Sequence, residues 1–140
     1  MMPYLLLAFL SIINTHSFSN KGTLIIEMDK QLSHEGNLLI YIFDNADAFP
    51  KHKDKAYRFV VIDAKQGIKS IPIQNLPFKE YAVIAVHDQN GNNKMDRNWL
   101  GLPAEPYALS GKPKFHMGPP KYDEVKFLFE KNNQTLKLAF

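Results

Sequence analysis

Apolar and polar residues alternate along most of this chain in runs of strand length, with turn residues between them. Leu24, Ile26 and Met28 alternate with Thr23, Ile25 and Glu27, which predicts a first strand over about 22–28. Leu38, Ile40 and Ile42 do the same after Gly36, until Asp44-Asn45-Ala46-Asp47 ends the run. Arg58 to Asp63 reads as a third strand. The fourth, Ile68 to Gln74, contains Pro72 and is therefore expected at a sheet edge or a bulge. Glu80 to Asp88 departs from alternation: Tyr81 to Val86 is apolar throughout, as in a strand covered on both faces in the middle of a sheet. Val125, Phe127 and Phe129 predict a sixth strand, and Leu136, Leu138 and Phe140 a last one after the turn at Asn132-Asn133. Seven short strands without a helical period predict an all-β fold, an antiparallel seven-stranded β-sandwich of immunoglobulin-like or prealbumin-like type.

The first residues follow another pattern. Pro3 to Ile13 is an apolar run interrupted only by Ser11, too short for a bilayer span of about 20 residues. With small residues at Ser17 and Ser19, Met1 to Ser19 reads as a secretory signal peptide, leaving a single domain over 20–140. The n-region carries no Lys or Arg, so an uncleaved anchor or a buried strand is the alternative. The expected location is exported, periplasmic or extracellular, with no integral span after cleavage. Without any cysteine the fold must rest on its core, or on a core plus a metal, and thiol catalysis, thiolate zinc sites and iron–sulfur clusters are excluded. A net charge of +3 is too mild to argue for nucleic acid. The one basic connection, Ala48 to Ala56, reads as an anion- or surface-binding patch or, more simply, as a solvated loop.

The long connection after the buried strand carries the candidate chemistry. Asp88, Asn90, Asn92 and Asp96 place side-chain oxygens at the first, third, fifth and ninth positions of a run, and the Lys94 carbonyl falls at the seventh. That is the spacing by which a loop wraps a hard divalent cation such as Ca²⁺, and Glu105 supplies a sixth oxygen donor from the return of the loop. Asn93 stands where an EF-hand loop has glycine, Trp99 where it has a bidentate Glu, and no helices flank the run. The competing reading is a turn whose Asn and Asp side chains bond their own backbone. Zinc does not suit hard oxygens with only His87 nearby. Strand alternation points His87 away from Asp88, toward packing with Trp99 or Tyr107. Trp99, Leu102, Tyr107 and Phe115, with Leu100 and Pro103, form either a partner surface or a lid over the core. No Gly-x-Ser-x-Gly elbow accompanies Ser110, so no catalytic set is assigned.

One set of motifs resembles a known family. A strand ending Tyr81-Ala82-Val83 leads into His87-Asp88, Asn90 and Asn92. Lys94 and Asp96 follow, then Leu100-Gly101, Pro103, Glu105, Tyr107 and Ser110, and Gly118-Pro119-Pro120. This resembles a bacterial family of exported proteins catalogued as domain of unknown function 2141. The resemblance covers essentially all of the mature chain. It implies an exported β-sandwich and brings no activity. Two positions depart from the family pattern: Lys79 and Ala108 stand where the family usually has glycine, so the entry to the central strand and the far side of the loop are expected to differ slightly.

The expected function is a non-enzymatic, exported module serving binding or structural purposes at the cell envelope, with its 88–110 loop ordered by Ca²⁺. Its partner would be a protein or a glycan. The alternatives are an envelope-acting hydrolase using Asp96, Glu105 or His87, which needs a cleft joining two of them, and a small-ligand carrier, which needs an apolar cavity between sheets.

Overall fold

A computed structural model describes residues 19–30, 32–114 and 117–140. The apolar run from Pro3 to Ile13, read as part of a signal peptide, lies outside them, as does Phe115. The protein is built mostly of strands: β1 (Lys21–Met28), β2 (Asn37–Phe43), β3 (Arg58–Asp63), β4 (Ser70–Pro77), β5 (Lys79–Asp88), β6 (Tyr107–Leu109), β7 (Phe127–Phe129) and β8 (Gln134–Leu138). A single helical turn, α1 (Tyr122–Val125), precedes β7. Among the described residues no helix is long and apolar enough to cross a membrane.

The strands form two sheets, one ordered β4-β1-β8 and the other β3-β2-β5-β6, with β7 pairing β5 beyond β6. β5 takes the central place its sequence predicts. β2 runs antiparallel along one edge from Asn37↔Asp88 to Phe43↔Ala82, and β6 and β7 share the other edge. Both of its faces are covered. Tyr81, Val83 and Ala85 join Leu24, Ile26 and Leu138 in the core between the sheets. Ala82, Ile84 and Val86 pack on the opposite side with Phe43, Phe49, Tyr122 and Val125, where the 44–57 connection and α1 close over the sheet. Pro72 lies on β4, an edge strand, where its missing N–H breaks no internal ladder.

Three expectations need correction. Among the described residues there are eight strands rather than seven, because Tyr107 to Leu109 pairs with Val86 to Ile84; three residues are too few to display a period. Val125 belongs to α1, not to a strand, and β7 is correspondingly short. The sheets are not wholly antiparallel, since β8 runs parallel to β1 over Leu24↔Gln134 to Met28↔Leu138. Alternation reports which face of a strand is buried, not the direction of its neighbour. After β7 the chain turns at Asn133 (φ +59°) and crosses to the other sheet, and that crossing sets the direction.

The two glycine replacements prove to be structural. Ala108 is buried in β6 opposite Ala85, where a Cβ favours the strand over glycine. Lys79 opens β5 and donates to Asp44 Oδ2 at 2.7 Å, its ammonium 4.4 Å from the Tyr57 ring centroid. Burial pushes the Asp44 carboxyl up, but hydrogen bonds from Lys79 and Asn45 together with the Lys79 charge outweigh it and hold the group below its ordinary range. A depressed carboxyl stabilises the fold above the unfolded-state value of about 4 and ceases to do so as pH falls through the folded-state value. Asp44→Asn is therefore expected to cost about 0.5 kcal/mol at neutral pH, the scale of a partly exposed pair. The difference from wild type in urea melts should shrink as the solution is acidified. A pH-independent difference would refute the assignment.

Candidate functional site

The loop from Asp88 to Tyr107 springs from the end of β5, and its geometry follows from how Asp88 is held. Asp88 is fully buried. Its Oδ1 accepts from the N–H groups of Gly91 (2.9 Å) and Asn92 (3.2 Å), and its Oδ2 from that of Asn93 (2.6 Å). Three backbone donors on one carboxylate wind the chain into a tight turn. Gly91 (φ +71°) and Asn93 (φ +60°) both adopt left-handed backbone within it. Asn93 thus supplies the sharp turn that EF-hand loops obtain from glycine at the sixth position, and Asn is one of the few residues that tolerates it. Asn37, paired with Asp88 across the sheet, donates to Asn93 Oδ1 at 2.9 Å and ties the turn to β2.

Further out, Asn90, Asn92 and Asp96 come together. The Asn90 amide donates to Asp96 Oδ2 at 2.6 Å, and the Asn92 amide to both Asp96 oxygens at 3.0 Å. The Asn90 oxygen accepts from Asn92 N–H and the Asn92 oxygen from Lys94 N–H. The two amides, helped by the Lys94 charge, hold the Asp96 carboxyl below its usual range. Glu105 closes the base of the loop from its return: Oε1 accepts from Gln89 N–H (3.1 Å) and Oε2 from Asp96 N–H (3.2 Å). The first, third, fifth and ninth positions thus form one hydrogen-bonded network with Glu105 beneath it. An ionised carboxylate has about four acceptor positions, so a carboxylate that accepts from backbone can still ligate a cation. Among the described residues, no three His, Asp or Glu side chains stand close enough to form a cage by themselves. Any cation here would depend on the Asn oxygens and the Lys94 carbonyl as well as on carboxylates.

His87 faces the other way, as alternation requires, but its partners are not Trp99 or Tyr107. It is 2% exposed, and Nε2 bonds the Glu35 carbonyl at 2.9 Å, which makes Nε2–H the donor. Ser33 Oγ lies 3.5 Å from the same nitrogen. His87 fastens the 33–35 turn to β5, and the structure does not bring it together with Asp96. Ser110 has a similar post: its hydroxyl donates to the Val125 carbonyl at 2.6 Å and accepts from Val83 N–H at 2.9 Å, joining α1 to β5.

The outer half of the loop is a separate small turn. Arg97 and Pro103 form a bridge, and Asn98 Oδ1 accepts from the N–H groups of Leu100 (3.0 Å) and Leu102 (3.1 Å). Arg97 donates to the Gly101 carbonyl at 2.7 Å. This turn does not cap the core. Trp99 is 91% exposed, Leu100 60% and Leu102 56%. Leu102 and Tyr107 instead line one side of a groove on the outer face of β5 and β6, facing Lys51 and Lys53. In the sequence Lys51 and Lys53 stand out only as part of a basic loop and Met95 and Arg97 not at all; the charge of that loop is the one available signal.

The chain matches the model of a family described as "Uncharacterized protein conserved in bacteria (DUF2141)" over residues 26–137. Neither the search of curated proteins nor that of solved structures found a match. The match runs from β1 through β8 and takes in the entire loop, so this chain belongs to the bacterial family known as domain of unknown function 2141.

Proposed function

We propose that this is an exported, non-enzymatic binding module, in outline an immunoglobulin-like or prealbumin-like sandwich, that presents its 88–110 loop at the cell envelope. The loop is held rigid by its own carboxylate-to-backbone bonds and takes up Ca²⁺ weakly. The ligands in this reading are Asp88, Asn90, Asn92, the Lys94 carbonyl and Asp96, with Glu105 bracing the base. The observation that supports it is that the Asn90 and Asn92 side chains both reach the Asp96 carboxylate, at 2.6 and 3.0 Å, above the Asp88 turn. Export is proposed from the apolar leader in the sequence.

Calorimetric titration with Ca²⁺ tests the ion. The expected result is a dissociation constant of about 10⁻⁴–10⁻³ M, the range of extracellular modules. The melting temperature should rise in millimolar Ca²⁺ over that in chelator. Asp96→Ala should abolish the binding heat while leaving the chelator melting temperature nearly unchanged, because Asp96 lies toward solvent and bonds mainly the two Asn side chains. No binding heat and no shift in melting temperature would sink the Ca²⁺ assignment.

A further inference from the structure

The groove beside the loop has the wrong charge balance for a surface that faces only water. It has a volume of about 420 Å³, within the range of small-molecule sites. Its floor is apolar: Ile84 from β5, Tyr107 and Leu109 from β6, and Met95 and Pro103 from the loop. Besides Lys51, two further cations line it, Lys53 and Arg97. None of the ion pairs among the described residues includes either of them.

Lys53 is the informative one. Its ammonium lies 3.0 Å from the Met95 thioether, a weak acceptor, and 5.4 Å from the Tyr41 ring centroid. Burial and the neighbouring Arg97 charge together hold its amine below the usual range, against a smaller opposing pull from Glu105. Glu105 itself is already bonded to two backbone N–H groups at the base of the loop. A half-buried ammonium with no carboxylate partner among the described residues, beside other cations and over an apolar floor, matches a ligand bringing one negative charge on an apolar body.

We propose that this groove binds a small amphipathic monoanion, a compact apolar or aromatic body carrying one carboxylate or sulfonate. The body lies on Met95, Ile84 and Leu109, and the charge sits between Lys53 Nζ and the Arg97 guanidinium. The proposal rests on the binding-module reading but not on the ion, so its test is run in chelator, where failure of the Ca²⁺ assignment has no bearing.

The probe is 8-anilinonaphthalene-1-sulfonate, titrated by fluorescence against the purified protein. Uncharged N-phenyl-1-naphthylamine, which has the same body without the charge, is the comparison. The sulfonate should bind at least about tenfold more tightly, the scale of a charge-assisted contact. Lys53→Met, which keeps the stem, should remove most of that advantage and leave the neutral probe within about twofold. Arg97→Gln, on an exposed side chain, should give a smaller loss in the same direction and serves if Lys53→Met does not fold. Amide shifts on adding the sulfonate should cluster at 50–53, 95–103 and 107–109. Equal binding of the two probes, no loss in either variant, or shifts elsewhere would overturn the proposal. So would binding to phosphatidylglycerol vesicles without binding to the soluble sulfonate, which would instead make this face a membrane contact.

Discussion

Gly36→Ala is expected to lower the stability of the fold by about 3 kcal/mol or more, among the larger effects of a single substitution. Gly36 has a φ of +69°, where a side chain costs about 1–2 kcal/mol before any contact is considered. A Cβ there would lie 1.9 Å from the Asp88 carbonyl oxygen and 2.8 Å from the Gln89 carbonyl carbon. Both are backbone atoms, so no flexible side chain can yield. Relief requires β2 to move away from the end of β5 at the Asn37↔Asp88 pair, or the Gly36 turn to open and release its carbonyl from Ala64 N–H. Either loosens the sheet edge on which the loop stands. A domain of this size has about 5–15 kcal/mol to lose, so the variant should still fold at low temperature. The urea midpoint should fall by about 2 M, given slopes of about 1–3 kcal/mol per M. A loss below about 0.5 kcal/mol, the scale of ordinary surface substitutions, would mean that the close approach of Gly36 and Asp88 is not a constraint.

The second large effect concerns Asp88 itself. Asp88→Ala removes the acceptor for three backbone N–H groups at the end of a buried strand, and each donor left unpaired costs about 1–3 kcal/mol unless water reaches it. Because Gly91, Asn92 and Asn93 lie toward the surface, water recovers part of that, and a net loss of about 3 kcal/mol is expected. Asp88→Asn should cost less, since its remaining oxygen still accepts from Gly91 and Asn92 while its amide opposes only Asn93. Hydrogen exchange separates a local from a global effect: the amides of Gly91 to Asn93 should lose protection in Asp88→Ala by more than the fall in global stability accounts for. Unchanged exchange at those amides would show that Asp88 does not organise the turn. If the proposed Ca²⁺ site is right, Asp88→Ala should remove Ca²⁺ binding as well, whereas Asp96→Ala should remove it without the cost in stability. The pair distinguishes the turn-forming carboxylate from the outer one.

Some of the site was readable in the residues. Two-residue alternation located six strands, the unbroken run at Tyr81–Val86 put β5 at the centre, and the same period turned His87 away from Asp88. The oxygen spacing located the loop and the side chains that come together in it. Missing were the things that depend on distant pairs. Ser110 and His87 invite a catalytic reading in sequence, yet each is engaged with a backbone carbonyl far along the chain, at Val125 and Glu35. In sequence Lys53 is one cation of a basic loop; only the fold sets it beside Met95 and the 95–103 turn.

The division has a physical basis. Burial pattern and turn chemistry are local, because a strand shows its covered face every second residue and Asn or Gly marks where the backbone must turn left-handed. Those determined the all-β character, the central strand, the edge position of β4 and the existence of the loop. Which strand lies beside which, and in what direction, depends on the chain packing back on itself. Tertiary structure alone therefore decided that β8 runs parallel to β1 and that three residues at 107–109 form a strand. It also decided that Asp88 and Glu105 direct their oxygens to the backbone of the loop they hold, and that Lys53 lies against the Met95 thioether beside an apolar groove.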